Sequence, residues 1–467
     1  MSEQRIVYCP IHETSLVEML AIAREARRRR EVAQYFFLHN PRLMSERSTL
    51  EDAGMEVVVF SPDESGPFSP KPLLERVLTA FLARGFTPPR WLLEYGLELF
   101  RTAKYFDVAI SKALARIKPT AVALPDDRTF SHGFLPAVMH HCARINIPSI
   151  IVPISIPGDL DSLLRLSSRK QNALPDGHWL IRRFGNQVRL DPELDRQVSF
   201  YPIVQTLLLK QRDWLPQNPW AIGGGFSTRV LAEGALSQTV LLEAGCPQQK
   251  IRITGHRSHD VIYNLQKRRQ QVRSALFPDC GDQPILVISL PQLGEHNLLP
   301  WDRHWEEIHF LCDSVSDWRH TVVISLHPKM KREQYQFVED NYGLHITDQP
   351  LREVLPAADL FIATFSSTVQ WAILCRTPSI VVDFYGFGYS TYDDIAGIAI
   401  ETDKQAYCAT LRQLLENATI RKERQMLLAN YADQISPFDG KCTDRIIESL
   451  IDRNPVVAGQ NIPDPKS

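Results

Sequence analysis

The sequence has no uninterrupted apolar run of about 18 residues, the length a membrane-crossing helix needs. Nothing in it therefore reads as a span. Paired cysteines are missing as well. Cys9, Cys142, Cys246, Cys280, Cys312, Cys375, Cys408 and Cys442 are scattered, with no CxxC pair and no histidine clustered beside them. Such spacing excludes a disulfide framework or a zinc site and reads as reduced thiols of a cytosolic protein. There is no surplus of positive charge: 52 Lys and Arg against 54 Asp and Glu give a formal net charge of −2. No global field holds the chain to nucleic acid. A dinucleotide fingerprint is absent too, because Gly386-Phe387-Gly388-Tyr389 does not open a helix after a strand at the required spacing. No internal repeat stands out. The amino-terminal MSEQRIVYCPIHE lacks the apolar core of a signal peptide, so a cytoplasmic location is expected. Residues 24–30, REARRRR, carry five arginines and one glutamate. A solvated helix face accounts for them at least as well as a membrane surface does, and peripheral contact with the inner face of a membrane stays open.

What is present is the balance of a soluble globular chain, with 44% hydrophobic and 23% charged residues over 467 positions. That length suits two or three domains. Short, nearly continuous apolar runs alternate with helical stretches. In the first half the runs are Ile6–Cys9, Gln34–Leu38, Met55–Phe60, Ala121–Leu124, Ile147–Val152, Arg229–Ala232 and Ile251–Thr254. In the second half they are Ile285–Ser289, Thr321–Leu326, His345–Thr347, Leu360–Ala363 and Ser379–Val382. Strands of this kind belong to parallel sheets covered on both faces. The expected architecture is α/β, with two Rossmann-like domains facing each other across a cleft. The first covers 1–265, with 158–225 as an insertion or helical connection, and the second covers 266–435. A helix over 436–455 could pack back, and 456–467 reads as a loose tail.

Three features end predicted strands of the second series, on what reads as one edge of one sheet. Ser325-Leu326-His327-Pro328-Lys329 offers a hydrogen-bond donor and a cation on a stiff turn. Ala363-Thr364-Phe365-Ser366-Ser367-Thr368 offers hydroxyls before a helix, where free N–H groups favour anions. Thr254-Gly255-His256-Arg257-Ser258-His259-Asp260 is a basic, glycine-containing turn. Taken singly, Ser-Ser is an ordinary helix cap and His-Pro an ordinary turn. Together they read as a phosphate site.

The stretch from Ile324 to about Gly397 resembles the donor half of GT-B-type enzymes. It is similar in particular to CDP-glycerol glycerophosphotransferases and to bacterial sialyltransferases with a His-Pro and a Ser-Ser or Ser-Thr motif. Those motifs are His327-Pro328 and Ser366-Ser367 here, and the resemblance implies contacts to the phosphate and nucleotide of a CMP- or CDP-linked donor. The donor-site candidates are His327, Lys329, Ser366, Ser367, Thr368, Gly255, Arg257 and Tyr385, with Tyr385 and Tyr389 bordering the base. The turn Gly255–Asp260 is similar to the Gly-x-Pro-Arg-x-Asp turn of the glycerophosphotransferases but lacks the proline. The run from Ala232 to Gly255 also resembles non-hydrolysing UDP-N-acetylglucosamine 2-epimerases. Those usually carry a glutamate pair in the helix after the second motif, where this chain has Gln370.

The resemblance implies a transferase, glycosyltransferase or glycerophosphotransferase, working with a nucleotide-sugar-type donor and a saccharide or lipid-linked saccharide acceptor of a surface polysaccharide. The alternatives are an epimerase-like enzyme or a non-catalytic nucleotide-sugar-binding protein. No cofactor and no metal are expected, since His327, Lys329 and a helix N-terminus would handle phosphate. A transferase needs a base for the acceptor hydroxyl. Asp127, beside Asp126 and near His132, is the first candidate and His12 the second. Asp159-Leu160-Asp161 is a DxD triplet of the kind chance supplies often. Gly223-Gly224-Gly225 reads as a turn.

Overall fold

The computed structural model describes residues 4–29, 32–62, 90–154, 164, 172–191, 195–296, 298–318, 321–327, 329–364, 366–388 and 392–452. The chain divides into two compact units. One comprises Met1–Ala232, Ser237–Thr254 and Thr443–Ser467, and the other Glu233–Leu236 and Gly255–Cys442.

In the first unit seven parallel strands form one sheet: β1 (Gln4–Tyr8), β2 (Val32–Leu38), β3 (Glu56–Val59), β4 (Ala121–Leu124), β5 (Ser149–Ile151), β9 (Arg229–Ala232) and β10 (Ile251–Ile253). Their order is β3-β2-β1-β4-β5-β9-β10, the doubly wound order of a Rossmann fold. Alternate residues of each strand point to opposite faces. Val7, Phe37, Val122 and Leu124 therefore enter one core with the helices Arg90–Ile117 and Phe134–Arg144. Ile6, Tyr8, Phe36, Leu38 and Ala123 enter another with the helix Glu13–Arg29. Both faces are dry, which explains why these runs show no polar alternation.

The helix Cys442–Ile451 joins the second of those cores through Ile446, Ile447 and Leu450. Arg229 fastens it by donating to the Ser449 carbonyl at 2.9 Å. The stretch read as an insertion contains a small antiparallel sheet in the order β6 (Ala173–Leu174), β8 (Arg196–Ser199), β7 (Val188–Asp191). The helix Ile203–Gln211 follows it.

The second unit repeats the plan. Its strands are β11 (Ile285–Ser289), β12 (Thr321–Ser325), β13 (His345–Ile346), β14 (Leu360–Ala363), β15 (Ser379–Val382) and β16 (Ile398–Glu401). All are parallel, in the order β13-β12-β11-β14-β15-β16. The edge strand β16 is additional to the strands expected from the sequence. Its four residues, Ile398-Ala399-Ile400-Glu401, are all half-buried.

Among the described residues no helix is long and apolar enough to cross a membrane. All eight cysteines are free thiols, and only Cys408 is exposed.

Candidate functional site

The sheet order corrects one expectation directly. His327 and Ser366 do share one sheet, following β12 and β14, which flank β11. The Gly255–Asp260 turn is not on their sheet at all. It follows β10, the edge strand of the first unit's sheet. An apolar run announces a strand, but the sheet it joins is decided by contacts far away in sequence.

Because β11 is central, its carboxyl-end loop brings Glu295 and His296 in beside the β12 loop. His327 and His296 lie with ring centroids 5.9 Å apart, nearly perpendicular. The backbone N–H of Lys329 donates to His327 Nδ1 at 3.1 Å. A backbone amide can only donate, so Nδ1 is the acceptor and the neutral ring carries its proton on Nε2. Lys329 Nζ reaches His296 Nε2 at 3.2 Å, and an ammonium likewise can only donate. Burial, with His296 and Lys329 close by, lowers His327 to about 4. Near neutral pH it is therefore an uncharged N–H donor beside a lysine cation, a combination suited to phosphate oxygens.

Glu295 anchors the far side of this cluster. It accepts from Tyr335 Oη at 2.6 Å, and Tyr335 Oη in turn contacts His304 Nε2 at 2.8 Å. The second Glu295 oxygen is buried without a hydrogen-bond partner. Neither Glu295 nor His296 stands out in the sequence. The one usable signal was their place, six and seven residues past the end of a fully buried run.

Ser366 Oγ accepts from the Thr368 backbone N–H at 3.2 Å and from Thr368 Oγ1 at 2.8 Å. It sits one residue before the cap position of the helix Thr368–Leu374, where Ser367 makes no side-chain cap hydrogen bond. Tyr392 Oη secures the Ser366 carbonyl at 3.0 Å, while Ser367 is exposed. Tyr385 turns inward: its hydroxyl is buried without a hydrogen bond, and its ring lies 5.6 Å from Phe387. Burial pushes its pKa up. Tyr389 and Pro328 lie outside the described residues.

Gly255 has φ +81, and a Cβ there would run into Cys442. Packing on that cysteine therefore requires the glycine. His256, not Arg257, caps the next helix, accepting the Ser258 N–H at 3.1 Å. Arg257 is half-buried at its first position.

In the first unit Asp127 is buried. Its carboxylate accepts from Gly223 N at 2.9 Å, Gly225 N at 3.1 Å and Ser227 Oγ at 2.7 Å. Burial raises its pKa, Asp126 adds to that, and Ser227, Gly223 and Lys250 oppose it. Its oxygens are committed to the segment that leads into β9. Asp126 is committed as well, to the Arg128 N–H at 2.6 Å and to Thr129 Oγ1 at 3.3 Å.

The histidines hold the carboxyl edge instead. His12 follows β1, His39 follows β2 and His132 lies in the turn after β4, and β4, β1 and β2 are neighbours. His12 Nδ1 accepts the Ser15 N–H at 3.1 Å. His39 stacks on Phe134 at 4.1 Å with Nδ1 buried and unpartnered. Burial and nearby His132 lower it to about 4. Ser131, His132 and Gly133 have φ of 41°, 54° and 94°, three left-handed residues in succession, a strained turn of the sort found at functional sites. His39 went unnoticed in the sequence although Leu38-His39-Asn40-Pro41 ends a strand much as Leu326-His327-Pro328 does. Asp159 and Asp161 lie outside the described residues.

No protein-family profile matches the chain, and no curated protein matches it in sequence. Solved structures do match in shape. MurG of Acinetobacter baumannii aligns at a TM-score of 0.52 and 11% identity, covering 96% of this chain and 99% of that one. UDP-GlcNAc 2-epimerase of Neisseria meningitidis, bound to UDP-GlcNAc, gives 0.50 and 12%, again covering 96% and 99%. A protein of Listeria monocytogenes described as a UDP-N-acetylglucosamine 2-epimerase gives 0.50 and 11%, covering 96% of each chain. At these identities the likeness shows the fold: two Rossmann-like units of the GT-B type.

Proposed function

We propose that the chain is a glycosyltransferase-type enzyme. In this reading it moves a group from a CMP-, CDP- or UDP-linked donor to a saccharide or lipid-linked saccharide of a surface polysaccharide. It works in the cytoplasm, with peripheral contact at the membrane. One observation carries the reading: His327, fixed as an Nε2–H donor, stands beside the Lys329 ammonium at the carboxyl ends of the central strands, where doubly wound sheets bind ligands. Ser366 and Thr368 would complete the phosphate contacts, and cationic Lys329 would offset donor charge without a metal. His12, His39 or His132 would take the acceptor proton, since Asp126 is engaged by its own turn and Asp127 by the loop before β9. The epimerase alternative suits the structure less well at one point: Gln370, buried at 1% exposure, puts a neutral amide where that family usually has carboxylates.

Calorimetric titration with CMP, CDP, UDP and GDP tests the donor site. One of the pyrimidine nucleotides should bind, and His327→Ala should weaken it by roughly tenfold or more, the worth of one charge-assisted hydrogen bond. The variant's unliganded melting temperature shows that it is folded. Undiminished nucleotide binding by His327→Ala would sink the assignment.

A further inference from the structure

The first unit contains a cavity that the donor reading leaves unused. Its volume is about 480 Å³, and Asn186, Arg189, Asn218, Gly223, Gly224 and Lys250 line it. Small-molecule sites typically span about 300–1,000 Å³. Gly223 and Gly224 belong to the loop before β9, and Lys250 immediately precedes β10. Asp127, which follows the carboxyl end of β4, reaches the same glycine loop.

Most of its wall is internally satisfied. Lys250 Nζ donates to the carbonyls of Gly223 at 2.8 Å and Gly225 at 3.0 Å. Asp127 holds the amides of the same two glycines and counters the Lys250 charge. Asn218 receives the Trp220 N–H and donates to the Ala244 carbonyl, each at 3.1 Å. Arg189 is the exception. Its Nε is buried without a hydrogen-bond partner, and among the described residues the guanidinium forms no ion pair. A buried donor left unpaired is costly, and an anionic oxygen supplied from the cavity would satisfy it.

We propose that this cavity is a binding site for a phosphorylated monosaccharide. The phosphate lies on the Arg189 fork with Lys250 nearby, and the sugar hydroxyls face the Asn186 amide and the backbone of the glycine loop. The space exceeds what a bare phosphate fills. Apart from Val188 and Pro247 the lining is cationic, amide or glycine backbone, which selects a hydroxyl-rich body over an apolar one.

Calorimetry on the full chain with glucose 1-phosphate, glucose and inorganic phosphate tests this. Glucose 1-phosphate should bind saturably, with glucose and phosphate each roughly tenfold weaker or worse. Arg189→Gln should weaken glucose 1-phosphate by roughly tenfold or more. Because the unpaired Arg189 Nε holds nothing in the fold, the variant should melt no lower than the parent. Asn186→Trp, at an exposed position, should block the cavity independently. His327→Ala should leave the titration unchanged. The proposal is overturned if the parent shows no saturable binding, or if both cavity variants bind as the parent does. It is also overturned if phosphate alone binds as tightly, or if binding disappears in His327→Ala.

Discussion

The protonation of His327 is fixed by its neighbours rather than by the imidazole itself. The Lys329 amide claims Nδ1. Burial, His296 and Lys329 together hold the ring at about 4, against an upward pull from Glu295. An unperturbed histidine titrates near 6.5. As pH falls from about 6.5 to about 4, the unfolded chain takes up this proton before the folded one, so stability is lost as pH falls through that window. The melting temperature of the parent should accordingly drop more steeply over this range than that of His327→Gln. Parallel slopes would show that His327 takes its proton at the ordinary pH. At this scale the sequence was legible where a polar residue ends an apolar run, as at His327 and Lys329. It was silent on Glu295 and His296, which matter because Tyr335 and Lys329 reach them from 40 and 33 residues away.

Elements were legible where their signal is local. Twelve expected runs coincide with strands, the inner ones because burial on both faces leaves continuous apolar stretches. Sheet membership was not legible, and the turn after β10 went to the wrong sheet for that reason. The partners of Asp127 were not legible either, since they lie about a hundred residues on, whereas Asp126 binds its own turn. With three donors on its carboxylate, Asp127 organises the loop entering β9. Asp127→Asn would turn an NH₂ group against one of those donors. It should destabilise the first unit by about 2–3 kcal/mol and speed hydrogen exchange at the Gly223 and Gly225 amides. Parent-like exchange in a variant that has lost catalysis would instead restore Asp127 as the base.

The whole molecule is two doubly wound units threaded by one chain that does not complete the first before entering the second. The final helix, Cys442–Ile451, follows all of the second unit in sequence yet supplies Ile446, Ile447 and Leu450 to a core of the first. Ile446 is fully buried there. Ile446→Ala removes three methyl or methylene carbons from a packed site, which costs about 2–5 kcal/mol depending on how far the surroundings relax. That loss belongs to the unit containing β1–β5, not to the unit whose strands neighbour the helix in sequence. Hydrogen exchange resolves the two. Protection should fall in β1, β2 and β4, where Ile6, Tyr8, Phe36, Leu38, Ala121 and Ala123 share that core, while β11, β12 and β14 keep theirs. A chain ending at Lys441 should show the same pattern more strongly, because it also lacks the Ser449 carbonyl that holds Arg229. Uniform loss across both sheets would mean that the two units open as one cooperative body. Loss confined to β11–β16 would mean that the helix serves the unit it follows.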